Sequence, residues 1–281
     1  MTAALVSDLP QAGTDYDQNG VVLLRGVISA EEVEEIRHEF TRQVETDSRL
    51  NHDDNLGADD VLSRYPRFVH PHRHLDTVAG RIARRLMTDE RLMAVVTQLI
   101  GPAYGAQSMF YFKPPTARGQ ALHQDNLFLQ AHPETCLAAW IAIDDCDGEN
   151  GGLIVIPGSH RIELLCPEEA DPTESYAANT VPVPDGVERV QSEMRAGDVL
   201  FFHGSLVHGS LPNRSADRFR RSLIFHYVPR SSVEVAKFYQ PLIDPDADPA
   251  DDAAWLAESP DGGPCGTGWV EEGQQPALRL A

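Results

Sequence analysis

A mainly β fold of the sandwich or barrel kind, with helices added at its N-terminal end, is predicted by three observations. From Gly101 onward, short apolar or alternating runs recur at Ser108–Lys113, Leu122–Leu129, Leu137–Ile143, Leu153–Ile156, Val199–His203 and Arg221–Val228. Turn-forming residues separate them, as in Lys113-Pro-Pro, Glu149-Asn-Gly-Gly152 and Ala196-Gly-Asp198. Helical periodicity is confined to the chain before Gly101, which places the helices outside the run of strands.

The N-terminal elements follow in order. Val21–Leu24 is a short apolar run, and Ser29 with Glu32 forms a capping box that opens a helix with apolar positions Val33, Ile36, Phe40 and Val44. Asn51–Arg73 reads as a long polar loop of the kind that carries function, and Asp89–Ile100 as a second helix stopped by Gly101-Pro102. Cys166–Gly186, rich in Pro, Asp and Glu, reads as an inserted loop, and the chain from Asp244 as an irregular tail. With no internal repeat, the economical organisation is one domain over 1–281, divided into a helical part (about 1–103), a β core (about 104–230) and a tail (about 231–281).

Composition excludes several classes. A formal net charge of −20 is opposite to what non-specific nucleic-acid binding needs. The longest apolar runs are far too short to cross a bilayer, and residues 1–15 show no secretory pattern, so a cytoplasmic location is expected. Cysteines 136, 146, 166 and 265 have no zinc-type spacing and read as free thiols in a reducing compartment. The arginines between Arg64 and Arg91 read first as a solvated helix face, with a clamp for an anionic substrate as the alternative that the adjacent loop leaves open. Oligomeric state leaves no mark.

The chemistry starts at His123-Gln-Asp125. In a strand, residues i and i+2 project to one face, so an imidazole and a carboxylate point the same way. A second histidine would complete a two-His, one-carboxylate face with three positions left open, the arrangement that suits iron(II) and dioxygen. The segment Gly197–Ser210 offers two candidates, His203 and His208. Downstream, Arg220-Arg221 opens an apolar strand, and a guanidinium there can hold a carboxylate through paired hydrogen bonds. A metal beside a buried arginine reads as a site for a chelating dicarboxylate.

These segments, together with Asn150–His160, resemble the phytanoyl-CoA dioxygenase family, which includes ectoine hydroxylase and many bacterial natural-product oxygenases. The resemblance covers roughly residues 15–230 and is densest at Gln107–Asp125, Trp140–His160 and Gly197–Tyr227. It implies a double-stranded β-helix, a cupin-like jelly roll, with iron(II) held by His123, Asp125 and His208 and with 2-oxoglutarate and dioxygen as cosubstrates. Arg220 aligns with the arginine that binds 2-oxoglutarate and keeps Tyr227 in register, and Ser210 matches a hydroxyl residue on the same carboxylate. Lys113 matches a second cosubstrate-binding cation. Gln107 shares the strand parity of Lys113, so it faces the pocket near substrate or cosubstrate. Trp140, more often a core residue, is the candidate substrate shelf. His203 reads as a strand cap, His160 as part of the Pro-Gly-Ser-His turn, and His226 as a packed core histidine.

The resemblance further implies oxidative decarboxylation of 2-oxoglutarate to succinate and carbon dioxide, with hydroxylation of a small metabolite or natural-product intermediate as the default outcome. Desaturation, epimerisation, ring closure and ketone formation use the same oxidant. Asp125 argues against halogenation, because related halogenases replace that carboxylate with a small residue. A metal-binding cupin-type protein without oxygenase activity is the alternative of another class, and it would not need Arg220, Ser210 and Lys113 together.

Overall fold

The computed structural model describes residues 8–51, 57, 59–133 and 135–260. An eight-stranded sheet is built from β1 (Val21–Leu24), β2 (Phe68–Val69), β3 (Ala103–Tyr111), β5 (Leu137–Ala142), β10 (Val199–His203), β12 (Ser222–Pro229), β14 (Leu242–Ile243) and β15 (Ala253–Ala254). Its order is β1-β10-β5-β12-β3-β14-β15, with β2 pairing β3 off that path. A four-stranded sheet, β4-β11-β6-β9, uses β4 (Gln120–His123), β6 (Leu153–Val155), β9 (Val190–Gln191) and β11 (His208–Ser210). Two small pairs complete the strands: β7 (Glu168–Glu169) with β8 (Asn179–Thr180), and β13 (Glu234–Val235) with β16 (Ala257–Glu258).

The large sheet is buried on both faces, which is why β5, β10 and β12 are nearly continuous apolar runs rather than alternating ones. One face carries Leu137, Ala139, Ile141, Phe201, Leu223, Phe225 and Tyr227 into a core shared with the helices. The other carries Ala138, Trp140, Leu200, Phe202 and Ile224 toward the small sheet. Antiparallel register locks these two sets: Leu223 faces Ile141, Ile224 faces Trp140 and Phe225 faces Ala139 across β12 and β5. The space between the two sheets is where a site can form.

Helices cover the outer face. The expected capping box opens α2 (Ala30–Thr46), with Ser29 Oγ accepting from Glu32 N and Glu32 accepting from Ser29 N. The second expected helix starts one residue late, at α4 (Glu90–Ile100), because Asp89 serves as its cap. Two more helices join them, the second carrying Arg81, Arg84 and Arg85 of the arginine-rich segment. These are α1 (Leu9–Asn19), capped by Asp8, and α3 (Val78–Met87), capped by Thr77. The aromatic rings of Phe40, Phe68, Phe110 and Phe112 join helices to sheet, with Phe40 and Phe110 stacked at 4.3 Å between centroids.

Three expectations are corrected here. The tail beyond residue 230 is not wholly irregular: β14 pairs with Gly105 on β3 and extends the large sheet, so Leu242 and Ile243 bury on it. The segment Cys166–Gly186 is no free insertion, because Tyr176 N donates to Gly119 O and Gly119 N donates to Glu174 O. Cys166 is disulfide-bonded, whereas Cys136 and Cys146 are free and buried; bonding depends on proximity in the fold, which spacing does not reveal. Cys265 lies outside the described residues. Among those described, no helix is long and apolar enough to cross a membrane.

The arginine-rich segment is mostly structural. Arg84 pairs with Asp252, Arg85 with Glu35 and Arg91 with both Glu32 and Asp89. Arg67 departs from that pattern and reaches the cavity between the sheets.

Phe110 is fully buried where the helices meet the large sheet. Phe110→Ala is expected to lower unfolding stability by about 3–5 kcal/mol. Urea denaturation of the variant and the parent checks this, with a shift in midpoint at unchanged slope as the expected form.

Candidate active site

A cavity of about 280 Å³ opens between the two sheets. His123 ends β4 and His208 starts β11, and these residues are direct partners in that antiparallel pair. Their rings sit 4.2 Å apart between centroids. Asp125 is not in a strand, as the sequence argument assumed. The strand stops at His123, and Asp125 has helical backbone angles (φ −63, ψ −35) at the start of the short helix α5 (Asn126–Leu129). It still faces the same way as His123, because Gln124 is pinned to the opposite side. Gln124 Nε2 donates to Ser205 O at 2.8 Å, and Gln124 Oε1 accepts from Leu165 N at 2.7 Å.

The three side chains converge. His123 Nε2 and His208 Nε2 lie 3.4 and 3.6 Å from Asp125 Oδ1, and one donor atom from each residue lies within 4.8 Å of the others. Their tautomers follow from simple bookkeeping. His123 Nδ1 lies 2.9 Å from Ala121 O and His208 Nδ1 lies 3.0 Å from Leu206 O. A carbonyl can only accept, so each Nδ1 carries the proton and each Nε2 keeps its lone pair. Burial, only partly offset by Asp125, holds His208 down at about 4, so it is neutral near pH 7. Burial pushes the Asp125 carboxyl up, but the neighbouring His208 and His226 rings and the hydrogen bond from His226 outweigh it and hold Asp125 well below its ordinary value. Two neutral imidazole nitrogens and one ionised oxygen are the donor set a divalent ion of the iron class requires.

Two side chains behind the triad were missed or misread in the sequence. His226 was read as packing, yet its Nε2 lies 3.0 Å from Asp125 Oδ2. It is 2% exposed on β12, and the bond leaves Oδ1 as the oxygen turned to the two histidines. Its shared parity with the cavity-facing residues of β12 was the available signal. Gln120 Nε2 lies 3.1 Å from His123 Nε2, and Gln120 Oε1 accepts the Tyr176 hydroxyl at 2.8 Å. An ion taking the His123 lone pair has to turn that amide away. Nothing in the spacing linked Tyr176 to His123.

A second cluster in the same region is cationic. Arg220 is buried, donating from Nε to Gly151 O and from Nη1 to Ser222 Oγ, both at 3.0 Å, and its guanidinium lies 5.4 Å from the Trp140 ring centre. Arg221 points the other way into an ion pair with Asp144, as the register argument requires. Lys113 lies two residues past the end of β3 and does not line the cavity itself; its ammonium donates to Ser210 Oγ at 2.8 Å and Leu211 O at 2.6 Å. Burial first, and the Arg220 charge second, pull Lys113 well below its ordinary value. Neither cation has a carboxylate partner among the described residues, although leaving buried charge uncompensated is costly. Ser210, Gln107 and Trp140 line the cavity, as expected of residues on its walls. His203 turns away toward Tyr16 and His160.

The fold and site define a jelly-roll protein with a two-histidine, one-carboxylate face aimed into a pocket between sheets. The family model described as Phytanoyl-CoA dioxygenase (PhyH) matches residues 16–222, and the chain belongs to that family. Phytanoyl-CoA dioxygenase 1 of Oryza sativa subsp. japonica is 36% identical over 132 residues, covering 47% of each chain, so this chain spans about half the length of that curated relative in the match. Among solved structures, the non-heme alpha ketoglutarate dependent epimerase SnoN from nogalamycin biosynthesis superimposes with a TM-score of 0.65 at 25% identity, over 90% of this chain and 96% of that one. That protein has also been crystallised with Fe3+, alpha ketoglutarate and nogalamycin RO. EctD from S. alaskensis, solved with 2-oxoglutarate and 5-hydroxyectoine, has the same fold at a TM-score of 0.58 and 23% identity, over 82% and 79% of the chains.

Replacing His226 with Leu is expected to weaken cobalt(II) or iron(II) binding by about 10–100-fold, since removing the partner of a ligating carboxylate has effects of that size. His226→Gln, which keeps a donor, should recover part of the loss; equal affinity in all three proteins, read by metal titration, would exclude the role. A pH effect follows from the histidines. Burial holds His203 and His208 at about 4, against about 6.5 in an unfolded chain. Between those values the unfolded chain binds protons that the native chain does not, so metal-free stability falls as pH drops from about 6.5 toward 4. Thermal melts of chelated protein across that range check it, and His203→Phe should give a shallower decline.

Proposed function

We propose that the protein is an iron(II)- and 2-oxoglutarate-dependent dioxygenase that hydroxylates an unactivated C–H bond of a small metabolite or natural-product intermediate. One juxtaposition carries the reading: the triad of His123, Asp125 and His208 opens onto the same pocket as Arg220 and Ser210. A metal-binding cupin-type protein would use the triad but would have no need of two buried basic side chains with no carboxylate partner among the described residues. A dicarboxylate resolves both halves of the site, with one end at the metal face and the other at the guanidinium.

In that reading His123, Asp125 and His208 hold iron(II), while Arg220 and Ser210 take the far carboxylate of 2-oxoglutarate. Lys113 orients Ser210 through its hydrogen bond and adds positive charge behind it. Iron(II) with 2-oxoglutarate and dioxygen supplies the oxidant for hydrogen-atom removal, with release of succinate and carbon dioxide. The chain's own work is to bind and orient: His226 keeps Asp125 turned so that one oxygen faces the histidines. The Asp125 carboxylate occupies the place a halide would need, so hydroxylation is favoured over halogenation. Epimerisation is the second reading, and the likeness to SnoN favours it.

The test is succinate release from 2-oxoglutarate by protein loaded with iron anaerobically and then exposed to air. Wild type should form succinate, and His208→Ala and Arg220→Ala should each reduce it at least about 100-fold, the scale expected when a metal ligand or a bidentate clamp is removed. Failure of wild type to bind 2-oxoglutarate while holding iron would overturn the dioxygenase reading.

A further inference from the structure

We infer that the substrate carries no cationic group and presents a flat, ring-sized apolar face with an oxygen acceptor, held at the mouth of the pocket by Phe128 and Phe238. This rests on the dioxygenase reading and narrows it to a substrate class.

Charge supplies the exclusion. Among the described residues lining the cavity, Asp125 is the only carboxylate, and both its oxygens are committed, Oδ1 to the triad and Oδ2 to His226. Arg67 lines the same cavity, its guanidinium 5.8 Å from the Tyr176 ring centre, and Arg220 lies in the wall. An ammonium entering this pocket would lose its water and meet no free carboxylate among the described lining residues. Desolvating a charge without a partner costs several kcal/mol or more. Amino acids, betaines and polyamines are therefore disfavoured, whereas neutral and anionic molecules are not.

Apolar surface supplies the shape. Phe128 and Phe238 both line the cavity and are 52% and 51% exposed, unlike the fully buried phenylalanines of the core. Phe128 follows Asp125 by less than one helical turn, with its ring centroid 6.2 Å from His123. Phe238 is held 4.8 Å from His70 and 5.2 Å from Tyr239 between ring centroids. Half-exposed aromatic rings at a concave site gain free energy when another apolar face covers them. Deeper in, Val69, Met109, Leu129 and Ile224 add only hydrocarbon and thioether surface.

The remaining polar groups read an acceptor. The Tyr239 hydroxyl has no hydrogen-bond partner among the described residues, although the residue is 7% exposed and lines the cavity. Burial first, with the Asp125 charge second, pushes that phenol well above its ordinary value, so it stays a neutral O–H donor. Gln107, also buried on the wall, offers an uncharged amide. A ketone, hydroxyl or ether oxygen satisfies both at no electrostatic cost.

A matched pair of probes tests this: 1-tetralone and 2-aminotetralin share a bicyclic face, but one carries a carbonyl oxygen and the other an ammonium. Binding is measured by calorimetry on iron-loaded protein saturated with 2-oxoglutarate under anaerobic conditions. 1-Tetralone should bind at least about tenfold more tightly than 2-aminotetralin, and the Phe128→Ala, Phe238→Ala double variant should lose about tenfold for 1-tetralone. Equal or reversed affinities, no binding of either probe, or a double variant that binds as wild type would each overturn the inference. Titration of 2-oxoglutarate itself is run first: its failure removes the dioxygenase reading, whereas its success with a failed probe series removes only the substrate class.

Discussion

Burial of the large sheet on both faces is the constraint on which the rest of the molecule depends. Strand β12 shows why. Leu223, Phe225 and Tyr227 face the helices, where the Tyr227 hydroxyl reaches Met87 O at 2.9 Å, while Ile224 and His226 face the pocket. A slip of one residue would drive Tyr227 into the site and His226 into the helix layer. The same register separates Arg220, turned to the pocket wall, from Arg221, tied to Asp144 on the outside. Hydrophobic pairing across β5 and β10 thus places the polar groups of the site without any of them contributing to the core that orients them.

The site concentrates charge in a region where charge is expensive. Asp125 is flanked by imidazoles on two sides, whereas the described partners of Arg220 and Lys113 are carbonyls, hydroxyls and the Trp140 ring. Such an arrangement persists because neighbouring strands hold it, and it leaves a standing electrostatic preference for an anion. Ser210 links the two halves, since it lies two residues from His208 on β11 and accepts from both Lys113 Nζ and Gln120 N. Through Gln120 the link continues to His123 and Tyr176.

Much of this was legible in the sequence, for identifiable physical reasons. Strand runs, the Ser29 capping box and the Gly101-Pro102 stop are local signals, and they mark elements the structure contains. The HxD pair was legible as a same-face pair, although the reason given was wrong: a helical turn, steered by buried Gln124, replaces the assumed strand. Parity placed Gln107 on the cavity wall, but it did not carry as far as Lys113, because β3 ends at Tyr111 and the chain turns. Parity put His226 on the pocket face of β12 but not beside Asp125, and Tyr176 and Tyr239 carried no signal as site residues. The partners of His226 and Tyr176 lie 101 and 56 residues away in the chain, Tyr239 reaches the cavity from beyond β12, and only the closed sandwich brings them together. The disulfide at Cys166 belongs to the same category.

The short helix α5 joins recognition to the metal face. Asp125 opens it and Phe128 lies on it, so the carboxylate and the mouth of the pocket share one turn of backbone. That turn is clamped at both ends. Asn126 N donates to Gly204 O at 2.8 Å, and the Asn126 side chain both donates to Ala131 O and accepts from Ala131 N. His226 then fixes the Asp125 carboxylate from across the pocket. A ring settling against Phe128 would press on a turn held by hydrogen bonds at both ends, with Asp125 at its head between His226 and the His123 and His208 rings. On the proposed reading, substrate contact and carboxylate orientation are coupled through one turn, because half-exposed Phe128 lies on the short helix that Asp125 opens.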